Sequence, residues 1–277
     1  MYKLLDSINS PADLKSLDLR QLEQLCQELR DYIIECCAVN PGHVASSLGT
    51  VELIVGWHYV YDAPSDKIVF DVGHQAYAHK ILTGRRDAFK SLRSQNGISG
   101  FLRRDESEYD VFGAGHSSTS VSAALGLAEA AKLQGRKEKV VALIGDGALT
   151  GGLAFEGLNN VVANKSDILI ILNDNNISID YNNSGVHGIL LKLTTSRKYN
   201  AFKNKVWDSL GDRGIRQMVQ NVIRSIKTWL VRKSGGGLFE DLGLRYFGPI
   251  DGNDIGQVVN ALRRLKDLGG PRILHCI

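Results

Sequence analysis

The chain has 277 residues, long enough for one large domain or two small ones. Hydrophobic residues make up 43% and charged residues 23% of it, the usage of an ordinary globular protein, which excludes disordered, collagen-like and coiled-coil chains. With 33 basic and 30 acidic side chains the net charge is +3, too balanced to announce a nucleic-acid partner.

The N-terminal Met1 to Ser7 lacks the apolar core of a secretory signal, so a cytoplasmic location is expected. The first strong periodicity is Leu22, Leu25, Cys26, Leu29 and Ile33, one stripe of a helix running from about Asp18 to Ala38 and ending at Asn40-Pro41-Gly42. A second helix is expected from about Ser47 to Tyr61, followed by a short strand, Lys67 to Phe70, that runs into Asp71-Val72-Gly73-His74. Small residues dominate from Ser117 to Ala131, predicting a buried helix whose Ala and Gly content lets a neighbour approach closely.

Val140 to Ile144 and Ile168 to Leu172 are continuous apolar runs of strand length, as suits strands buried on both faces of a parallel sheet. A helical stretch, Gly152 to Ala163, separates them. No apolar run approaches the roughly 18–20 residues of a membrane span. Towards the C-terminus come a strand at Leu244 to Phe247, a helix at about Asp254 to Leu268 and a last strand at Pro271 to Cys276. Alternating strands and helices predict an α/β fold with a doubly wound, mostly parallel sheet. Between these elements Tyr181 to Gly237 breaks the pattern and reads as a mobile helical insertion. Its stripe Ile215, Met218, Val219, Val222, Ile223, Ile226, Trp229 and Leu230 carries Arg216, Arg224, Lys227, Arg232 and Lys233 beside it. Such a helix packs on its own protein or a dimer partner, or lies on a membrane surface. The four cysteines, Cys26, Cys36, Cys37 and Cys276, show no Cys-x-x-Cys spacing and read as reduced, buried thiols.

The chemistry concentrates at strand ends. Gly145-Asp146-Gly147 follows one apolar run and Asn173-Asp174-Asn175 the next, and in an open parallel sheet ligands bind outside the carboxyl ends of the strands. A carboxylate on Asp146 and an amide oxygen on Asn175 are hard donors that suit Mg²⁺, whose shell is commonly completed by substrate phosphates. Gly145 and Gly147 allow close approach, so backbone N–H groups, including that of Ala148, are placed to donate to phosphate oxygens. A dinucleotide fingerprint would need Gly where Thr150 stands, and no P-loop pattern occurs. Three further loops place His after Gly: Gly42-His43, Gly73-His74 and Gly115-His116. Each imidazole is thereby offered to a ligand for phosphate binding or proton transfer. His58, His79, His187 and His275 lack that setting and read as structural.

Together, Asn40 to Gly49, Asp71 to Arg86, Ser107 to Val111, Gly115 to Ser120, Gly145 to Gly152 and Ile171 to Asn175 resemble the 1-deoxy-D-xylulose-5-phosphate synthase family of transketolase-like enzymes, over nearly the whole chain. The resemblance implies a transferase that uses thiamine diphosphate and Mg²⁺. It would decarboxylate pyruvate and join the two-carbon unit to D-glyceraldehyde 3-phosphate, feeding isoprenoid, thiamine and pyridoxal synthesis. It further implies Asp146, Asn175 and the backbone carbonyl of Ile177 as metal ligands. Cofactor contacts would come from His74, Gly115, His116, Ser117, Gly147, Ala148 and Asn175. His43 would sit beside the thiazolium and, with His74, act in catalysis. A homodimer is implied as well. Ala78 stands where the family usually carries Pro, and Asn176 to Gly185 departs from the family's pattern.

The family's synthases are more than twice this long. The whole chain, 1–277, is therefore expected to form the domain that binds the diphosphate end, with the pyrimidine-binding and C-terminal domains absent, and to be inactive without them. Two other readings stand beside this one: a subunit of a split enzyme whose second chain carries the pyrimidine-binding domain, and a non-catalytic module that binds Mg²⁺-diphosphate.

Overall fold

The computed structural model describes residues 2–113, 115–175 and 237–277. Ile177, the expected insertion 181–237 except its last residue, and its basic helix lie outside the described residues. The elements are α1 (Leu19–Val39), α2 (Val44–Leu48), α3 (Val51–Val60), β1 (Lys67–Phe70), α4 (Tyr77–Lys80), α5 (Ser120–Leu133), β2 (Val140–Gly145), α6 (Asp146–Leu149), α7 (Gly152–Ala163), β3 (Ile168–Asn173), α8 (Gly237–Asp241), β4 (Arg245–Ile250), α9 (Ile255–Lys266) and β5 (Arg272–Cys276).

The five strands form one parallel sheet in the order β1-β2-β3-β5-β4. Successive side chains leave a strand on opposite faces, and here both faces are apolar. Val141, Leu143, Leu169 and Ile171 join α1, α3 and α9 in one core. Val140, Ala142, Ile144, Ile168, Ile170 and Leu172 join α5, α7 and Phe239 of α8 in the other. The doubly wound sheet expected from the two apolar runs is therefore present, with β2 and β3 at its centre.

Local signals placed α1 to within a residue. Asp18 accepts a hydrogen bond from the Gln21 backbone at 2.9 Å, and the Gln21 side chain accepts from the Asp18 backbone at 2.9 Å, a capping box that satisfies two otherwise orphaned donors. Leu22, Leu25, Cys26, Leu29 and Ile33 are all buried, and all four cysteines are buried and free. The helix expected at 47–61 is instead two, α2 and α3, because Thr50 at the junction sends its hydroxyl to the Gln75 carbonyl at 2.9 Å. The strand expected to stop at Phe247 continues to Ile250 through a register shift against β5.

The expectation for 117–131 needs correcting. Helix α5 starts at Ser120 and buries only Ser120, Val121, Ala124 and Ala131, while Leu133 is 87% exposed. The close approach to its neighbour comes from the other helix, since a Cβ on Gly157 of α7 would stand 3.0 Å from Val121 and Ser122, whereas one on Gly126 of α5 would meet nothing within 4 Å. The same substitution should therefore act with opposite signs. Gly157→Ala forces α5 and α7 apart and is expected to lower stability by about 1–3 kcal/mol. Gly126→Ala only restricts an exposed helical backbone and is expected to raise it by about 0.5–1 kcal/mol. Guanidinium midpoints of the two variants check this.

Candidate active site

The carboxyl ends of β1, β2 and β3 carry the segments singled out in the sequence. Gly145 pairs with Asn173 across β2 and β3, so Asp146 and the Asp174-Asn175 pair continue from adjacent strand tips. Asp146 is buried and opens α6. Asn175 is exposed, one residue beyond the buried Asp174.

At the tip of β1, Gly73 donates its N–H to the Asp71 carbonyl at 2.6 Å across Val72, which has φ 60°. A β-branched residue at positive φ is strained, and what holds it is the carboxylate of Asp71. This group, 1% exposed, accepts from the Ser118 N–H at 2.7 Å and the Ser120 N–H at 2.9 Å. The Ser118 hydroxyl in turn donates to the Ala148 carbonyl at 2.7 Å. Gly151 allows this, since a Cβ there would stand 2.1 Å from the Ser118 hydroxyl. On the other side, the Ser47 hydroxyl donates to the His74 carbonyl at 3.0 Å. Four segments, distant in sequence, are thus joined by one path of hydrogen bonds.

That path brings His43 and His74 together. Their rings meet edge to face at 5.7 Å, and Phe101 packs on His43 at 5.5 Å. The Tyr77 hydroxyl accepts from the His43 backbone N–H at 3.0 Å. The absence of a Cβ on Gly42 makes room, since one would stand 2.5 Å from that hydroxyl. Nδ1 of each imidazole is buried without a hydrogen-bond partner. Burial lowers the pKa of both groups, aided by Arg93 at His43 and by His43 at His74. Both are therefore neutral at pH 7, with nitrogens ready to accept or pass a proton.

His116 behaves differently. It is exposed, as are Gly115 and Ser117, and among the described residues no ring contact joins it to His43 or His74. The backbone at Gly147 and Ala148 is half-buried beside Ser118. Among the described residues no three His, Cys, Asp or Glu side chains converge as metal ligands.

Sequence reasoning passed over two groups that build this site. One is Asp71. The other is a buried ionic cluster under the 99–119 loop. Lys80, fully buried, bonds Glu106 at 2.5 Å, and Arg85 grips Asp110 with two bonds of 2.7 and 2.8 Å. Glu106 also accepts the Ser99 N–H at 2.7 Å, and Asp110 the Arg103 N–H at 3.0 Å. His79 lies 3.3 Å from Asp110, and its other nitrogen is 3.0 Å from His58.

Comparison with known proteins supplies a family. The family model for 1-deoxy-D-xylulose-5-phosphate synthase matches residues 5–277. A 1-deoxy-D-xylulose-5-phosphate synthase from Azobacteroides pseudotrichonymphae is 52% identical over 279 aligned positions, covering 99% of this chain and 44% of that protein. The synthase from Porphyromonas gingivalis is 51% identical, covering 98% and 43%. The chain thus spans less than half the length of the relatives it matches. Among solved structures, transketolase from Campylobacter jejuni superposes with a TM-score of 0.65 at 19% identity, covering 94% of this chain and 38% of that one. Transketolase from Leishmania mexicana gives 0.63 at 18%, covering 94% and 36%. These show a shared fold.

The buried imidazoles beneath the site make stability depend on pH. His58 and His79 are fully buried, and desolvation holds both below the ordinary value of 6.5. As pH falls through 6.5, the unfolded chain takes up protons that the folded chain refuses, so stability drops by at most about 1.4 kcal/mol per pH unit for each group. Asp110 lies below its ordinary 3.8, against the opposing effect of burial, because His79 and Arg85 hold its carboxylate; its contribution is present above that value and lost at lower pH. The melting temperature is expected to change little above about pH 7 and to fall from about pH 6.5 to pH 5, and His58→Gln to flatten that fall. A profile flat over that range would contradict the assignment.

Proposed function

The chain belongs to the 1-deoxy-D-xylulose-5-phosphate synthase family, and we propose that it is the part of such an enzyme that holds the diphosphate end of thiamine diphosphate through Mg²⁺. The reaction proposed is the decarboxylation of pyruvate with transfer of the two-carbon unit to D-glyceraldehyde 3-phosphate, giving 1-deoxy-D-xylulose 5-phosphate. The observation that carries this reading is the hydrogen-bond path from Ser47 through His74, Asp71 and Ser118 to Ala148. It ties the His43–His74 pair to the Asp146 turn as one unit.

The donor set fits the group. One buried carboxylate and one amide oxygen at adjacent strand tips are hard ligands, too few to hold a metal alone and suited to Mg²⁺ that carries phosphate oxygens. Asp146 and Asn175 are the proposed side-chain ligands, with the Ile177 carbonyl, outside the described residues, as the third. The backbone amides of Gly147 and Ala148, with Gly115, His116 and Ser117, are proposed to bind the diphosphate. When bound, thiamine diphosphate supplies the electron sink for breaking and making the carbon–carbon bonds. His74 would orient it and His43 would hold or move a proton at Nδ1. Both roles draw on imidazoles kept neutral by burial.

The relatives are more than twice as long as the part of them this chain covers. Activity is therefore proposed to need residues from the portion not spanned, supplied in the same polypeptide or by a second chain carrying a pyrimidine-binding domain. A homodimer, a cytoplasmic setting and a role in isoprenoid and thiamine synthesis belong to the same proposal.

Calorimetric titration tests it. Thiamine diphosphate is expected to bind only with Mg²⁺ present, and Asp146→Ala or Asn175→Ala to weaken binding at least about tenfold. His43→Ala should leave that affinity intact while lowering turnover of the complete synthase by about 10²–10⁴. Equal affinity with and without Mg²⁺, or in Asp146→Ala, would refute the reading.

A further inference from the structure

The sheet is largely apolar on both faces, and one buried polar cluster interrupts it toward the carboxyl ends of β3 and β5. Asp174, just past β3, and His275, near the carboxyl end of β5, meet the side chain of Tyr246, the second residue of β4, and the three are exposed by 1%, 0% and 2%. His275 Nε2 is 2.9 Å from the Asp174 carboxylate, and its Nδ1 is 2.8 Å from the Tyr246 hydroxyl. In the neutral imidazole a single tautomer satisfies both contacts. Nε2–H donates to the carboxylate, and Nδ1 accepts from the Tyr246 O–H. Burying three polar groups among Ile273, Leu172 and Phe239 is costly unless they satisfy one another, and a strand position of this kind would ordinarily hold Val, Ile or Leu.

The cluster also controls where the chain leaves the sheet. Asp174 donates its backbone N–H to the Cys276 carbonyl at 2.8 Å, one step beyond the last pairing of β3 with β5. Asp174 is therefore fixed by its backbone on one side and by His275 on the other. The next residue, Asn175, is exposed at the sheet edge. Its backbone leaves β3 from the anchored Asp174.

We propose that His275 is a positioning residue for the metal site: seated on Tyr246, it locks Asp174 and so fixes the point at which the ligand Asn175 leaves β3. This rests on the reading of Asn175 and Asp146 as metal ligands. Groups that orient a ligand from behind typically contribute 10–100-fold to metal affinity.

The test is titration of the purified chain with Mn²⁺ in the presence of thiamine diphosphate, following the free-ion signal by electron paramagnetic resonance. His275→Ala is expected to weaken Mn²⁺ binding about 10–100-fold. His275→Gln, which reaches Asp174, recovers most of the affinity. His275→Asn, which reaches Tyr246 but not Asp174, does not, and it replaces the alanine variant should that one fail to fold. Tyr246→Phe loses at most about tenfold. Ile273→Ala, a fully buried neighbour on β5, lowers the melting temperature without moving Mn²⁺ affinity, which separates positioning from general destabilisation. Wild-type affinity in the folded His275→Ala or His275→Asn chain overturns the inference. If Asp146→Ala meanwhile abolishes binding, the metal reading stands without it. A wild-type chain that binds no Mn²⁺ overturns both.

Discussion

The site depends on the carboxylate of Asp71. Asp71 stands one residue past β1, yet its two bonds go to the backbone of Ser118 and Ser120 at the start of α5, across the whole 72–117 excursion. A buried carboxylate is expensive unless donors surround it, so the two amides and the carboxylate fix one another. With that clamp closed, the strained Val72 turn keeps His74 facing His43, and Ser118 reaches the turn that carries Asp146. The clamp links neighbouring strand tips and loops that the apolar sheet leaves free to vary.

A second constraint acts on the same excursion from below. Lys80 with Glu106 and Arg85 with Asp110 pin residues 99–110 against α4. Buried ion pairs seldom add much net stability over an apolar replacement, but removing one partner leaves the other uncompensated. Their effect here is to specify one path for a long loop that has few helical or strand bonds to guide it. The excursion is thus tied by charge twice, at its ends through Asp71 and in its interior at the Glu106–Asp110 stretch.

What was legible in the sequence divides along physical lines. Features decided within a few residues were read well. The Asp18 cap with the Leu22–Ile33 stripe gave α1, and unbroken apolar runs gave β2 and β3 as central parallel strands. Features decided by partners far away were not. Thr50 breaks a helix because it meets Gln75, and α5 shows much of its surface because its close neighbour contacts it through Gly157. Asp71 stood inside a quoted motif without being given a role, since nothing local announces amides 47 residues further on. His275 reads as structural in the sequence, and its particular partners, Tyr246 and Asp174, are brought to it only by the sheet order. Glycine before histidine marks three loops alike; the fold brings His43 and His74 together, while His116, which shares the pattern, lies on the surface.

The four cysteines give the molecule a reporter of its own motions. Cys26, Cys36 and Cys37 lie on α1 and Cys276 on the last strand, and all four belong to the core that covers a single face of the sheet. Burial pushes their thiols up, most fully at Cys26 and Cys276, so the reactive thiolate is scarce while that face stays closed. Alkylation therefore counts openings of the face. Because Cys26 lies on α1 and Cys276 on β5, the order in which they become labelled distinguishes opening at β5 from release of α1, and both from cooperative unfolding of the whole layer.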